Sequence, residues 1–314
     1  MDNVDLKTLM ANGGAGRHET FTPRYGWLKK GYEAASKDGK VFNAVDSIER
    51  LGVGKNMVQS IRAWCLAFHI LERAEDKTGK DRGGLRPTKL GKWLLADEGW
   101  DPYLEDLASL WLLHYQLFLP PFEAVSWPLV FNHCTLPTFD LKHLSLNLTS
   151  AAQQYSKLSS LSQGSLDKDA SCLIRMYSDS KTEGKSDIYC PFTQLDIVKI
   201  AEEQSIFRFN ISEKQTLPAL VFTACCFAYA AITQPNQRTL SMHKAVYELN
   251  SPGIAFKLSE TTAGRLLDNA AGRLKGVYFV ESLGNRQLQF EEGPDNLFWK
   301  SLNLYYSGNT SEVK

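Results

Sequence analysis

Two amphipathic patterns meet at Gly52-Val53-Gly54, and this junction limits the possible folds more than any other stretch of the chain. On its C-terminal side, Met57, Val58, Ile61, Trp64, Cys65 and Phe68 recur at the spacing of one helix face, which predicts a helix over Lys55–Phe68. The opposite face carries Lys55, Asn56, Gln59, Ser60 and Arg62. On the N-terminal side, Asn43 can cap a helix over Ala44–Leu51, with Val45, Ile48 and Leu51 turned inward. Two glycines in three residues cannot propagate either helix, so the pair reads as helix-turn-helix. Ile70–Arg73 and Leu85–Pro87 then read as strands around the polar stretch Glu75–Gly84, and Thr88 caps a helix over Lys89–Ala96. Helix, turn, helix, basic hairpin and helix is the order of a winged helix. In that arrangement Lys55, Asn56, Gln59, Ser60 and Arg62 face a major groove, and Lys77, Lys80, Arg82 and Arg86 face the neighbouring phosphates. The plainer alternative is a solvated face on a protein-interaction module.

Charge is distributed in keeping with the first reading. The 314 residues hold 35 basic and 35 acidic side chains, which excludes a uniformly cationic partner of nucleic acid. Residues 1–92 nevertheless carry 17 basic against 11 acidic groups, and residues 93–160 carry 2 against 7. A second basic and aromatic patch, Arg17, Arg24, Tyr25, Lys29 and Lys30, precedes the helix-turn-helix. It suits phosphate and base stacking, or equally a helix that packs Phe21, Trp27 and Leu28 inward and lays its lysines along the surface. The first ten residues lack the apolar core of a secretory signal, and no run of about 18 apolar residues suggests a membrane span. The six cysteines, at 65, 134, 172, 190, 225 and 226, form no Cys-x-x-Cys, which fits free thiols in the cytoplasm.

The remaining pattern is mostly helical, so the expected class is mainly α (α+β): winged helix-turn-helix units with small β-hairpin wings around a helical middle. Asp101–Leu119 reads as a helix opened by Pro102, with His114 as a core residue, and Leu166–Tyr177 as a helix with Leu166, Cys172, Leu173 and Met176 inward. The apolar window Leu217–Ile232 is a buried helix. Ser241–Leu249, a break at Ser251–Gly253, Ser259–Ala271 and a hairpin across Gly284-Asn285 repeat the earlier order, as a second winged-helix-like unit poorer in basic residues. The expected division is a flexible 1–16, an N-terminal DNA-binding domain at 17–119, a connecting segment at 120–165 and a helical C-terminal domain at 166–314.

Catalytic motifs are sparse. There is no P-loop, zinc spacing, nucleophile elbow or dinucleotide fingerprint, and no metal site is identified. His18-Glu19 offers a base or half a metal site, and Asp140-Leu141-Lys142 a carboxylate with a nearby ammonium, so His18, Glu19, Asp140 and Lys142 are the catalytic candidates. Each has an ordinary structural reading as well.

Four blocks, GRHETFTPRYGWLKKGY, LGVGKNMVQSIRAWCLAF, DPYLEDLASLWLLHYQL and LDKDASCLIRMY, occur in this order from Gly16 onward. Together they resemble the SspB-like family of Ssp-type DNA phosphorothioation systems, an uncharacterised-domain family of bacterial DNA-modification and defence loci. The resemblance spans about Gly16 to Tyr306 and implies a cytoplasmic DNA-nicking endonuclease of antiviral defence. Its implied partners are double-stranded DNA, a cysteine desulfurase, an ATPase and an ATP-pyrophosphatase-like subunit. A nickase of this kind would use Mg or Mn. It carries over no catalytic residue. The alternative is a non-catalytic winged-helix adaptor or transcription regulator on the same fold.

Overall fold

A computed structural model describes residues 6–74, 83–178, 190–201, 203, 205–282 and 284–309. The described residues are mainly helical, with three small antiparallel sheets among them. After α1 (Leu6–Met10) and a segment rich in turns, α2 (Trp27–Lys37) buries Trp27, Leu28 and Tyr32. A 3-10 turn over Val41–Asn43 leads to α3 (Ser47–Leu51). Gly52, at φ 62°, ends α3 in the left-handed conformation and donates its N–H to the Ile48 carbonyl at 2.8 Å. Gly54 is extended, and α4 (Lys55–Ala67) begins directly after it.

The helix before the turn is shorter than the pattern predicts. It starts at Ser47, and Val45 and Ile48 are exposed (104% and 45%), leaving Leu51 as its buried anchor. Asn43 caps nothing; its side-chain amide donates to the Gly83 carbonyl at 3.1 Å. The helix after the turn follows the expectation: Val58, Ile61, Trp64 and Cys65 are buried against α2.

Strand β1 (Leu71–Arg73) pairs antiparallel with β2 (Leu85–Pro87), Glu72 opposite Arg86. Thr88 caps α5 (Lys89–Leu95) by accepting the Gly91 N–H at 2.9 Å. Helix α5 packs so close to the end of α4 that a Cβ on Gly91 would stand 2.2 Å from the Ile70 carbonyl oxygen.

Helix α6 spans Leu107–Gln116, starting six residues later than the sequence reading places it. Asp106, not Asp101, is its cap and accepts the Ala108 N–H at 2.8 Å. Asp101 instead turns back to accept the Glu105 and Asp106 amides. Residues 120–165, expected as a connection, carry α7 (Ser126–His133), with Trp127, Leu129 and Val130 fully buried, and α8 (Leu141–Gln153). Both pack on α9 (Gln163–Tyr177), whose buried residues include the expected Leu166, Cys172, Leu173 and Met176.

Strands β3 (Val198–Ile200) and β4 (Phe207–Phe209) form a hairpin, and Phe207 also bridges to Phe139 ahead of α8. Helix α10 (Ala219–Thr233) is apolar on nearly every side and buried accordingly. Around it lie β5 (Thr239–Ser241), α11 (Met242–Tyr247), α12 (Pro252–Phe256), α13 (Glu260–Ala271), β6 (Val277–Ser282), β7 (Asn285–Phe290) and α14 (Pro294–Asn309). The strands form one antiparallel sheet in the order β5-β7-β6, and α14 lies along α10. His114 sits at 0% exposure between these layers. Its Nε2–H donates to the Ala255 carbonyl at 2.8 Å, and its Nδ1 accepts from the Tyr177 hydroxyl at 2.7 Å. Burial pushes its pKa down to about 3, so it is a neutral core residue as expected. All six cysteines are free and buried, and no described helix is long and apolar enough to cross a membrane.

Candidate nucleic-acid interface

Helix α4 holds thirteen residues and no carboxylate. Lys55 and Asn56 are exposed at its N-terminal end, and Gln59 and Arg62 follow half-buried one and two turns on. Residues 55, 59 and 62 share one face at i, i+4 and i+7. Ser60 does not join them. It is fully buried on the side of Trp64, four residues ahead, and its hydroxyl has no hydrogen-bond partner. It therefore cannot meet a base edge as the helix stands.

Beside that face two guanidinium groups grip one carboxylate, and a third, on Arg62, lies within reach of their charges. Glu123, just ahead of α7, has a side chain only 8% exposed. Arg17 donates to Glu123 Oε2 at 2.5 Å. Arg73, at the end of β1, grips both oxygens, with Nη1 on Oε1 and Nη2 on Oε2 at 2.9 Å. Burial raises the Glu123 pKa, but the hydrogen bonds and charges of Arg73 and Arg17 outweigh it and hold the carboxyl below its usual range. Arg62 is the third member. Its basicity is lowered by burial, and by Arg73 and Arg17 against the attraction of Glu123; its Nε has no hydrogen-bond partner.

The rest of the predicted contact set divides. Arg86 is exposed but paired with Glu72 across the hairpin at 2.7 Å. Lys77, Lys80 and Arg82 lie outside the described residues. In the second patch, Lys29 is buried and committed to the Leu95 carbonyl at 2.9 Å and Asp97 at 2.7 Å. Lys30 caps α3 by donating to the Leu51 carbonyl at 2.8 Å. Arg24 lies over the rings of Phe21 and Trp27, and the half-exposed Tyr25 bonds Gln194. Of Arg17, Arg24, Tyr25, Lys29 and Lys30, then, Lys29 is drawn inward, while Arg17, Arg24, Tyr25 and the exposed Lys30 each have separate partners.

The catalytic candidates also separate. His18 is buried and bonds Asp169 on α9, Nε2 to Oδ1 at 2.7 Å. Asp169 also accepts the Gly16 amide at 3.0 Å and the Ser126 hydroxyl at 2.5 Å. The His18 ring stacks on Trp64 and meets Trp127 edge-on, and its Nδ1 has no partner. The arrangement pins the N-terminal segment to α9. Glu19 is exposed next to it. Asp140 caps α8, accepting the His143 amide at 2.7 Å and the His143 ring at 2.8 Å, with Lys142 exposed beside it. Among the described residues, no group of three or more His, Cys, Asp or Glu side chains stands close enough to hold a metal ion.

Asp169 and Glu123 escaped the sequence reading. Asp169 sits between the inward positions Leu166 and Leu173 of an amphipathic helix, a readable sign of a satisfied buried carboxylate. Glu123 is the one acid between Asp106 and Asp140, which is a fainter sign.

The chain belongs to a protein family of unknown function, DUF4007, whose model matches residues 16–306. No curated protein matches it. Among solved structures, the chain is similar to crystal structures of SspB and of magnesium ion-bound SspB. Each has a TM-score of 0.89 and 32% identity, over 95% of this chain and 90% of the SspB chain. The chain is therefore SspB-like throughout its fold.

Proposed function

We propose that this chain binds duplex DNA as the SspB-type component of a DNA phosphorothioation system, presenting α4 to the duplex. The observation that carries this reading is the carboxylate-free outer face of α4. Its donors Lys55, Asn56, Gln59 and Arg62 lie on a helix whose other face is core. The preceding glycine turn and the following hairpin supply the order of a winged helix, in which such a helix enters the major groove. The partners would be those of the system: a cysteine desulfurase, an ATPase and an ATP-pyrophosphatase-like subunit, in the cytoplasm. Within it the chain would nick DNA and so open the backbone for sulfur insertion. The C-terminal unit suits packing or a protein partner better, since Arg265 is paired with Glu213 and Arg286 with Glu260.

Titrating a 20–30 bp duplex, roughly the size range of a bent binding site, across salt concentrations tests the binding. Lys55→Glu with Arg62→Glu is expected to weaken it strongly while the circular dichroism spectrum is unchanged; unaltered affinity would refute the role of α4. One observation favours a second reading, an adaptor that holds DNA uncut: Asp140 is spent on a helix cap. Relaxation of supercoiled plasmid with Mg or Mn decides between them, open circles supporting the nickase and their absence the adaptor.

A further inference from the structure

The cluster around Glu123 has more positive charge than its carboxylate can neutralise. Three guanidiniums against one carboxylate leave a local excess of two charges. Arg17 and Arg73 satisfy both Glu123 oxygens between them. Arg62 is left over, half-buried, with an Nε–H that meets no acceptor. A guanidinium taken partly out of water without a partner is costly, and its neighbours make matters worse, because Arg73 and Arg17 both repel it. The ligand that relieves this is a second oxyanion, tetrahedral or planar, reached from the solvent side, where Arg17 and Arg73 are each about half exposed (51% and 49%). Four other arginines are each paired with a carboxylate instead: Arg50 with Asp38, Arg86 with Glu72, Arg265 with Glu213 and Arg286 with Glu260.

We propose that Arg17, Arg62 and Arg73 form a phosphate-binding site, with Glu123 as the resident counter-charge that holds two of the three guanidiniums in place. It draws on the DNA-binding reading for the source of the phosphate: Arg62 continues the Lys55–Gln59 face of α4, so a duplex lying along that face brings a backbone phosphodiester to the cluster. Arg73 and Arg17 come from opposite sides of the helix-turn-helix in sequence, and only the fold brings them to Arg62. The contact is to backbone, so it adds affinity without sequence preference.

Arg62→Gln is the informative variant, because Arg62 is the member that Glu123 does not hold. It should bind any duplex about five- to tenfold more weakly than wild type at ~0.1 M salt, and lower the slope of log affinity against log salt by about one. Arg62→Lys should recover most of the loss, since a phosphate accepts from an ammonium as well. In a second arm without DNA, inorganic phosphate should raise the melting temperature of the wild-type protein above that in chloride at equal ionic strength, and of Arg62→Gln much less. A duplex-binding wild type whose Arg62→Gln variant keeps full affinity and slope overturns the site. If the wild type binds no duplex, the DNA reading fails on its own. The site then stands as one for free phosphate if the Arg62-dependent stabilisation by phosphate is seen, and falls if it is not.

Discussion

Replacing Asp169 by alanine should be among the most damaging single changes in this chain, and replacing it by asparagine far milder. The carboxylate is 1% exposed and receives three donors, from the Gly16 amide, the His18 ring and the Ser126 hydroxyl. Alanine leaves all three facing an apolar setting of Trp64 and Trp127. A stranded buried donor costs about 1–3 kcal/mol. The adjoining slot, lined by Gly16, His18, Trp64 and Asp169, offers only about 10 Å³, space for one water at most. With one donor rescued by water and the others near the middle of that range, the loss is about 4 kcal/mol. Asparagine behaves otherwise. Its carbonyl oxygen keeps the Gly16 and His18 donors, and the Ser126 hydroxyl turns to accept from the new amide. What is lost is the charge assistance of the bonds, about 1–2 kcal/mol after the relief of a buried charge. For a chain of this size the alanine change lowers the melting temperature by about 8 °C and the asparagine change by about 3 °C, on a scale of about 2 °C per kcal/mol. Thermal unfolding followed by circular dichroism measures both. An alanine variant within 2 °C of wild type, or an asparagine variant as unstable as alanine, would refute the reasoning.

Three further outcomes are expected. Gly91→Ala should destabilise by about 1–3 kcal/mol, because its methyl group meets the Ile70 carbonyl of a backbone that must move, and chemical denaturation reads the shift. Lys257 is buried with its Nζ on the Phe131 carbonyl at 2.7 Å and over the Phe209 ring; burial lowers its pKa from 10.5 to about 8. Between about pH 8 and 10.5 the unfolded chain therefore binds the extra proton, so the cost of burying the charge is fully present below that window and fades as pH rises through it. Lys257→Met should accordingly compare best with wild type near pH 7.5 and lose ground toward pH 10; a stability difference flat in pH would contradict this. Finally, Ellman's reagent should leave all six thiols unreacted in the native protein and titrate them on unfolding, and rapid native labelling of any one would contradict its burial.

How far the chain could be read in advance depended on how local the determining contacts are. Helix α4, the cap of α5, and the β6–β7 hairpin were legible because periodicity and capping residues act within a few positions. Asp101-Pro102 carried a valid start signal for α6, yet the structure uses that aspartate to tie a turn, and the Tyr305 hydroxyl on Asp106 helps settle the real start. Val45 and Ile48 had helical spacing but too short a helix to bury them. Helix α14 drew no attention because its face is defined by α10, a long way off in sequence. The arginine cluster was the least legible feature, since Glu123 lies 106 residues from Arg17 and 50 from Arg73. Lys29 and Lys30 misled for the same reason: their carbonyl and carboxylate partners are remote, and composition alone made them resemble a basic patch.

Arg17 and His18 are adjacent, and their side chains part company: one rests on Glu123 at the rim, the other is clamped to Asp169 inside. The peptide link between them makes a short lever from rim to interior. Any load on the outer guanidinium is borne by the clamp rather than by the loop, so a surface arginine inherits the stiffness of the core, and loosening Asp169 blunts a contact that Asp169 never touches.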